Sequence, residues 1–177
     1  MMGSLLETIV DFLASLQFFT IISPEDRGVL LRGGKYLRTL GPGMYWHWPI
    51  IDEVRTVTVV EQAVDLPEQS VTTKDYFTPL VGGTIRYEIS DARIALLNVQ
   101  DYDETLQVIA MGSLLSYIAH LKRASILLPE EVEREILDDL QNEAEQIGLN
   151  VVEFRLTNSC DHRVIRVVGE PPVIDEG

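Results

Sequence analysis

Cysteine is almost absent from this chain of 177 residues: Cys160 stands alone. No intrachain disulfide can form, and the expectation is a reducing, cytoplasmic setting. Basic residues are scarce as well. Lys and Arg number 14 against 28 Asp and Glu, a net charge of −14, and no basic run interrupts the balance. Such a chain repels phosphate backbones, which argues against a nucleic-acid partner, and it is not drawn to anionic lipid headgroups by charge. Much of the excess is local. Glu130, Glu131, Glu133, Glu135, Asp138, Asp139, Glu143 and Glu145 are met only by Arg134, the pattern of a solvated helix face.

Long apolar runs are missing too. The stretch from Phe12 to Pro24 passes 13 residues without a charge, whereas a membrane-spanning helix needs about 20. The amino-terminal segment also lacks the basic start and small-residue cleavage pattern of a secretory signal. Placed on a helix, Ser4, Glu7, Thr8, Asp11 and Ser15 form a polar stripe. Leu5, Leu6, Ile9, Phe12, Leu13, Leu16 and Phe19 then share a wide apolar face, so residues 1–23 read as an amphipathic helix suited to a membrane interface or to a protein surface.

Catalytic and ligand-binding constellations are likewise lacking. His47, His120 and His162 stand far apart, without the spacing of a zinc site. After Gly28, the run Gly33-Gly34-Lys35-Tyr36 omits the hydroxyl that a phosphate loop needs for magnesium. Asp101, Asp103 and Glu104 have neither the glycine nor the closing glutamate of a calcium loop. No serine sits in a nucleophile elbow, and Cys160 has only His162 nearby in sequence. The sequence therefore offers no catalytic, cofactor-binding or metal-binding residue, and the expectation is a protein that is not an enzyme and needs no cofactor.

What is present is a foldable pattern, with 46% apolar and 24% charged residues, the composition of a folded domain. Its length fits one compact unit or two small subdomains. Gly28–Arg32 and Tyr36–Leu40 read as a hairpin around Gly33-Gly34, followed by a turn at Gly41-Pro42-Gly43 and a strand over Met44–Trp48 that Pro49 stops. His47 falls on the opposite strand face from Trp46 and Trp48 and reads as a partly exposed strand histidine. Glu53–Val60, a short Val71–Thr73 and Thr84–Ile89 complete a mostly antiparallel sheet.

From Asp91 the pattern turns helical. A short helix over Asp91–Val99 is followed by a longer one opened by Asp101 with Glu104 three residues on, a capping-box spacing. Pro129 begins a third helix, whose stripe of Val132, Ile136, Leu140, Ala144 and Ile147 ends at Gly148. A strand over Asn150–Thr157, another candidate at Val164–Val168 and a loose tail at 169–177 close the chain. Phe18, Phe19, Trp46 and Trp48 admit two readings, core packing or anchoring at a membrane interface.

The run from Pro24 to Tyr36, with Thr39-Leu40-Gly41-Pro42-Gly43 and Trp48-Pro49-Ile50-Ile51-Asp52 after it, closely resembles the opening of SPFH (band 7, prohibitin homology) domains of the stomatin, prohibitin and flotillin type. Val71-Thr72-Thr73-Lys74-Asp75, Ile85–Asp91 and Ala95–Tyr102 match in order, so the likeness covers about Pro24 to Leu156. Each piece alone is weak; four in order are specific. The resemblance implies an α+β fold in which a curved, mostly antiparallel sheet packs against helices, with a β-rich part over 24–90 and an αβ part over 91–168.

The resemblance also implies a membrane-associated scaffold on the cytoplasmic side, a homo-oligomer that can form rings, with membrane lipid and a membrane protease or channel as further partners. On it, Leu5, Leu6, Ile9, Phe12, Leu13, Leu16, Phe18, Phe19, Trp46 and Trp48 become the candidate membrane contacts. Relatives of this type continue into a long Ala- and Glu-rich helix, whereas Pro171-Pro172 oppose a helical extension here. That argues against a large closed cage built on coiled coil and leaves smaller rings or sheet-edge contacts open. A soluble interaction module built on a minimal domain of the same type is the alternative expectation.

Overall fold

The computed structural model describes residues 18–122, 126 and 128–161. The expected amphipathic helix before Phe18, the Val164–Val168 strand and the carboxy-terminal tail lie outside the described residues. Within them the order is β1 (Phe19–Ile22), β2 (Asp26–Arg32), β3 (Lys35–Leu40), β4 (Gly43–Trp46), β5 (Asp52–Thr58), β6 (Gln62–Ser70) and β7 (Pro79–Ile89), then α1 (Ala92–Leu97), α2 (Tyr102–Ala119), α3 (Pro129–Gln146) and β8 (Leu149–Asp161).

These strands form a two-stranded ribbon β1-β4 and two three-stranded sheets, β3-β2-β5 and β6-β7-β8. Every pair is antiparallel. Antiparallel sheets packed against helices are the α+β architecture that the sequence implies.

The main core lies where β6-β7-β8 meets α2 and α3. In β7 the alternation read from sequence holds, because Ile85, Tyr87 and Ile89 are buried while Arg86 points to solvent. From α2, Leu106, Ala110, Leu114 and Ile118 face this sheet, and from α3 Val132, Ile136, Leu140 and Ala144. Both rows follow helical spacing.

Asp101 caps α2 by accepting the Glu104 N–H at 3.0 Å, and Asp91 caps α1 by accepting from Arg93 and Ile94. The chain leaves α3 through Gly148 at φ +78, where an added Cβ would come within 2.6 Å of the Asp91 carbonyl. Only glycine fits that turn.

Two elements differ from the sequence reading. The amino-terminal helical pattern carries its apolar face through Phe19 and its segment to residue 23, yet Phe19–Ile22 is a strand. Its backbone pairs with β4, residue against residue from Phe19↔Trp46 to Ile22↔Gly43, and this tertiary pairing overrides a local helical period.

The second difference is β6. Val71–Thr73 reads as a strand in sequence but is loop, while the preceding Gln62–Ser70 forms the edge strand on β7. Acidic residues and Pro67 hide β6 from a propensity reading, although Pro67 falls at a register irregularity between Leu66 and Gln69, where an edge strand accepts it. Thr73 is buried and ties the loop together, its hydroxyl donating to the Phe77 carbonyl at 3.0 Å and accepting the Phe77 N–H at 3.2 Å.

Candidate functional site

The β1-β4 ribbon is built from eight residues whose two faces differ in chemistry. Cross-strand partners share a face in an antiparallel pair. Thus Phe19 with Trp46, and Ile21 with Met44, form one apolar surface. That surface is open to solvent: Ile21 is 76% exposed, Met44 69%, Phe19 56% and Trp46 50%.

The alternate residues turn inward. Ile22 joins Leu30 and Leu40 in a small second core, with Tyr45 and Val54 packed on it. His47 is buried rather than partly exposed, because its Nε2 lies 2.9 Å from the Thr20 hydroxyl while its backbone N–H donates to the Phe18 carbonyl at 2.9 Å.

Past the ribbon the apolar surface continues. The Trp48 ring meets Trp46 edge-on, centroids 5.0 Å apart at 73°. Ile50 and Ile51 project from the following turn and are also exposed. One ion pair, buried at its Asp52 end and half-exposed at Arg32, fixes this turn. Asp52, whose side chain is wholly buried, receives Arg32 Nε at 2.7 Å and Nη2 at 2.9 Å and accepts the Trp48 N–H at 3.0 Å.

The Arg32 hydrogen bond, followed by the Trp48 N–H, lowers the Asp52 pKa to about 2, so this carboxylate stays ionised in its turn. The Gly33 N–H donates to the Ile51 carbonyl at 2.7 Å and joins the turn to the β2-β3 hairpin. Trp48, Ile50 and Ile51 are thereby presented on a braced loop.

Charge is divided between the two parts of the molecule. Over residues 18–58, Arg27, Arg32, Lys35, Arg38 and Arg55 stand against Glu25, Asp26, Asp52 and Glu53, which leaves that part close to neutral. The acidic excess lies beyond it, on α3 and around α1 and α2. On the outer face of β6-β7-β8, Arg86 bonds Glu61 and Glu153, and Arg155 also bonds Glu153. The Arg155 and Arg86 hydrogen bonds hold the Glu153 pKa below its ordinary value.

In the core, burial first and the bonded Asp103 carboxylate second push the Tyr87 hydroxyl pKa well above its ordinary value. Among the described residues no group of three or more His, Cys, Asp or Glu is placed to hold a metal, and no helix is long and apolar enough to cross a membrane.

Of the candidate contacts read from sequence, Phe19, Trp46 and Trp48 come together on the ribbon and its turn, and Phe18 is half-buried just before β1. Leu5, Leu6, Ile9, Phe12, Leu13 and Leu16 lie outside the described residues. The sequence reading missed Ile21, Met44, Ile50 and Ile51. Alternation of Ile21 with Phe19, and the apolar pair inside Trp48-Pro49-Ile50-Ile51-Asp52, were the available signals.

The sequence model described as SPFH domain / Band 7 family matches residues 20–166. An uncharacterized protein of Methanothermobacter thermautotrophicus is 32% identical over 143 residues, which cover 78% of this chain and 45% of that protein. Stomatin of Mus musculus is 26% identical over 134 residues, covering 74% of this chain and 47% of its own length. Mechanosensory protein 2 of Caenorhabditis elegans is 26% identical over 134 residues, covering 74% of this chain and 28% of its own length. The chain spans about half the length, or less, of these relatives.

Proposed function

The chain belongs to the SPFH domain / Band 7 family, and from that premise we propose that it is a membrane-associated, self-assembling scaffold acting at the cytoplasmic face. In this reading it organises lipid, regulates partner membrane proteins such as a protease or a channel, and carries out no reaction of its own. The exposed apolar surface of Phe19, Ile21, Met44, Trp46, Trp48, Ile50 and Ile51 is the observation that carries the proposal. Exposed apolar side chains gathered in one part of the surface support reading it as a contact surface. Its two tryptophans are side chains of the kind that suit the headgroup level of a bilayer.

In this arrangement Leu5 to Leu16 lie along the same interface, immediately ahead of the ribbon in sequence, and copies pack side by side as rings or smaller arrays. Flotation of the full-length chain with vesicles tests the membrane contact, and mass photometry without detergent tests the assembly. The comparison variant lacks residues 1–17, because a deletion to 22 would remove β1 and unseat the ribbon. Flotation reduced by the deletion and lost when Ile21 and Trp46 are also replaced by serine is the expected outcome. A stable monomer that stays with the soluble fraction overturns the scaffold reading and favours a soluble interaction module.

A further inference from the structure

Resting on the reading of the ribbon as a bilayer contact, we infer that the lipid surface it takes is one of zwitterionic headgroups, and that anionic lipid weakens the contact. Lipid phosphates and carboxylates are held by cations free to reach them. In the part that carries the ribbon, five cations stand against four carboxylates, and two of the five are held in ion pairs. Arg32 is held in a two-point bond by Asp52, and Arg55 is bonded to Glu53 at 2.7 Å. The Arg38 guanidinium lies over the Tyr45 ring at 5.8 Å, and Arg27 donates to the Asp26 carbonyl at 3.0 Å. Lys35 alone in this part has no such contact among the described residues.

A surplus of one positive charge in this part cannot offset a chain of net charge −14 near a negative surface. The attraction therefore comes from burying the ribbon's apolar side chains, a contribution that is nearly indifferent to salt. Repulsion between the acidic part and anionic lipid, by contrast, reaches about 30 Å at low ionic strength and about 8 Å at physiological strength. Neutral headgroups supply the apolar interface without that repulsion.

The test is partition of the full-length chain onto vesicles of phosphatidylcholine alone and of phosphatidylcholine mixed with phosphatidylserine, at low and at physiological salt. Binding to phosphatidylcholine is expected to be unchanged by salt. Phosphatidylserine is expected to lower the partition at low salt by roughly fivefold, the factor one elementary charge is worth near an anionic surface, and the gap is expected to close as salt rises. Partition strengthened by phosphatidylserine, or binding to phosphatidylcholine that collapses with salt, overturns the inference and leaves the bilayer contact standing. Absence of binding to every vesicle overturns both, and a soluble dimer that Ile21→Ser dissociates would then assign the ribbon to a second copy.

Discussion

Replacing Ile21 and Trp46 together by serine in the chain that lacks residues 1–17 should detach the domain from phosphatidylcholine vesicles without unfolding it. Trp46 is half-exposed, so of the ~200 Å² a tryptophan can bury roughly 100 Å² remains for the bilayer, worth about 2.5 kcal/mol at about 25 cal/mol per Å². Ile21, 76% exposed, adds about 1.5 kcal/mol on the same scale. Full burial of both thus contributes about 4 kcal/mol, and shallow seating that covers half as much still leaves about 2 kcal/mol, or a ~30-fold loss of partition.

The fold loses a comparable amount at Trp46, whose buried half, roughly 100 Å², is also worth about 2.5 kcal/mol on this scale, and little at Ile21, which touches little protein. Ile21→Ser alone should change stability by no more than about 0.5 kcal/mol, and the Trp46–Trp48 contact accounts for about 1 kcal/mol. Vesicle sedimentation gives the partition, and thermal unfolding followed by circular dichroism gives the stability. An unchanged partition in a folded double variant would refute the assignment of the ribbon to the bilayer.

Four further outcomes are expected. Gly83→Ala should cost about 1–3 kcal/mol, read as a lower urea midpoint, because its Cβ would meet the Arg155 carbonyl at 2.8 Å and the Phe154 ring at 2.9 Å; an unchanged midpoint would show that β7 and β8 are looser than described. Tyr76, 91% exposed at φ +60, sits in a conformation asparagine tolerates better, so Tyr76→Asn should raise stability by roughly 0.5–1 kcal/mol, measured by the same titration.

Asp52 has a folded pKa of about 2 against an ordinary 3.8, so its contribution is complete above about pH 4 and is lost as pH falls through about 2. The stability gap between the native chain and Asp52→Asn should accordingly narrow over that window, and a gap that widens with acid would contradict the Arg32 pairing. Pro67→Thr removes the residue that interrupts edge strand β6 and should promote aggregation, read by light scattering on warming; equal scattering from both proteins would show that Pro67 does not guard the edge.

Much of the main body was legible because local and tertiary signals agree there. In β7, α2 and α3 the apolar period matches the element that forms, with Asp101, Pro129 and Gly148 marking the helix ends. The candidate site was legible only in part. Phe19 continues a helical apolar face in sequence, and nothing local reveals that Phe19–Ile22 will instead find β4 more than twenty residues later. A strand of four residues has too short a period to declare itself. For the same reason Ile21 and Met44 could not be placed on one surface before the register was known. His47 was placed on the right strand face, but its burial depends on Thr20, which reaches it only once β1 is paired.

The strand edges constrain how such a scaffold assembles. An unpaired outer strand is a template for adding another chain, yet three of the four outer strands of the larger sheets carry obstacles. In β8 the Val151 carbonyl accepts from Gln141 at 3.1 Å and the Leu156 N–H donates to Glu133 at 2.9 Å, so α3 side chains occupy those groups. β6 is broken by Pro67, and β3 has a register shift that leaves Leu37 opposite no β2 residue, with Lys35 and Arg38 beside it. In the proposed assembly, copies packing side by side would therefore be directed to side-chain faces rather than to continuous sheets. Contacts of that kind need not be strong one at a time. On the proposed reading, a single ribbon would have to offset the rotational and translational freedom lost on reaching a membrane, whereas in an array each additional ribbon would bind from a high effective concentration. Assembly would thus give a nearly neutral apolar surface the residence on a bilayer that a basic patch gives other proteins.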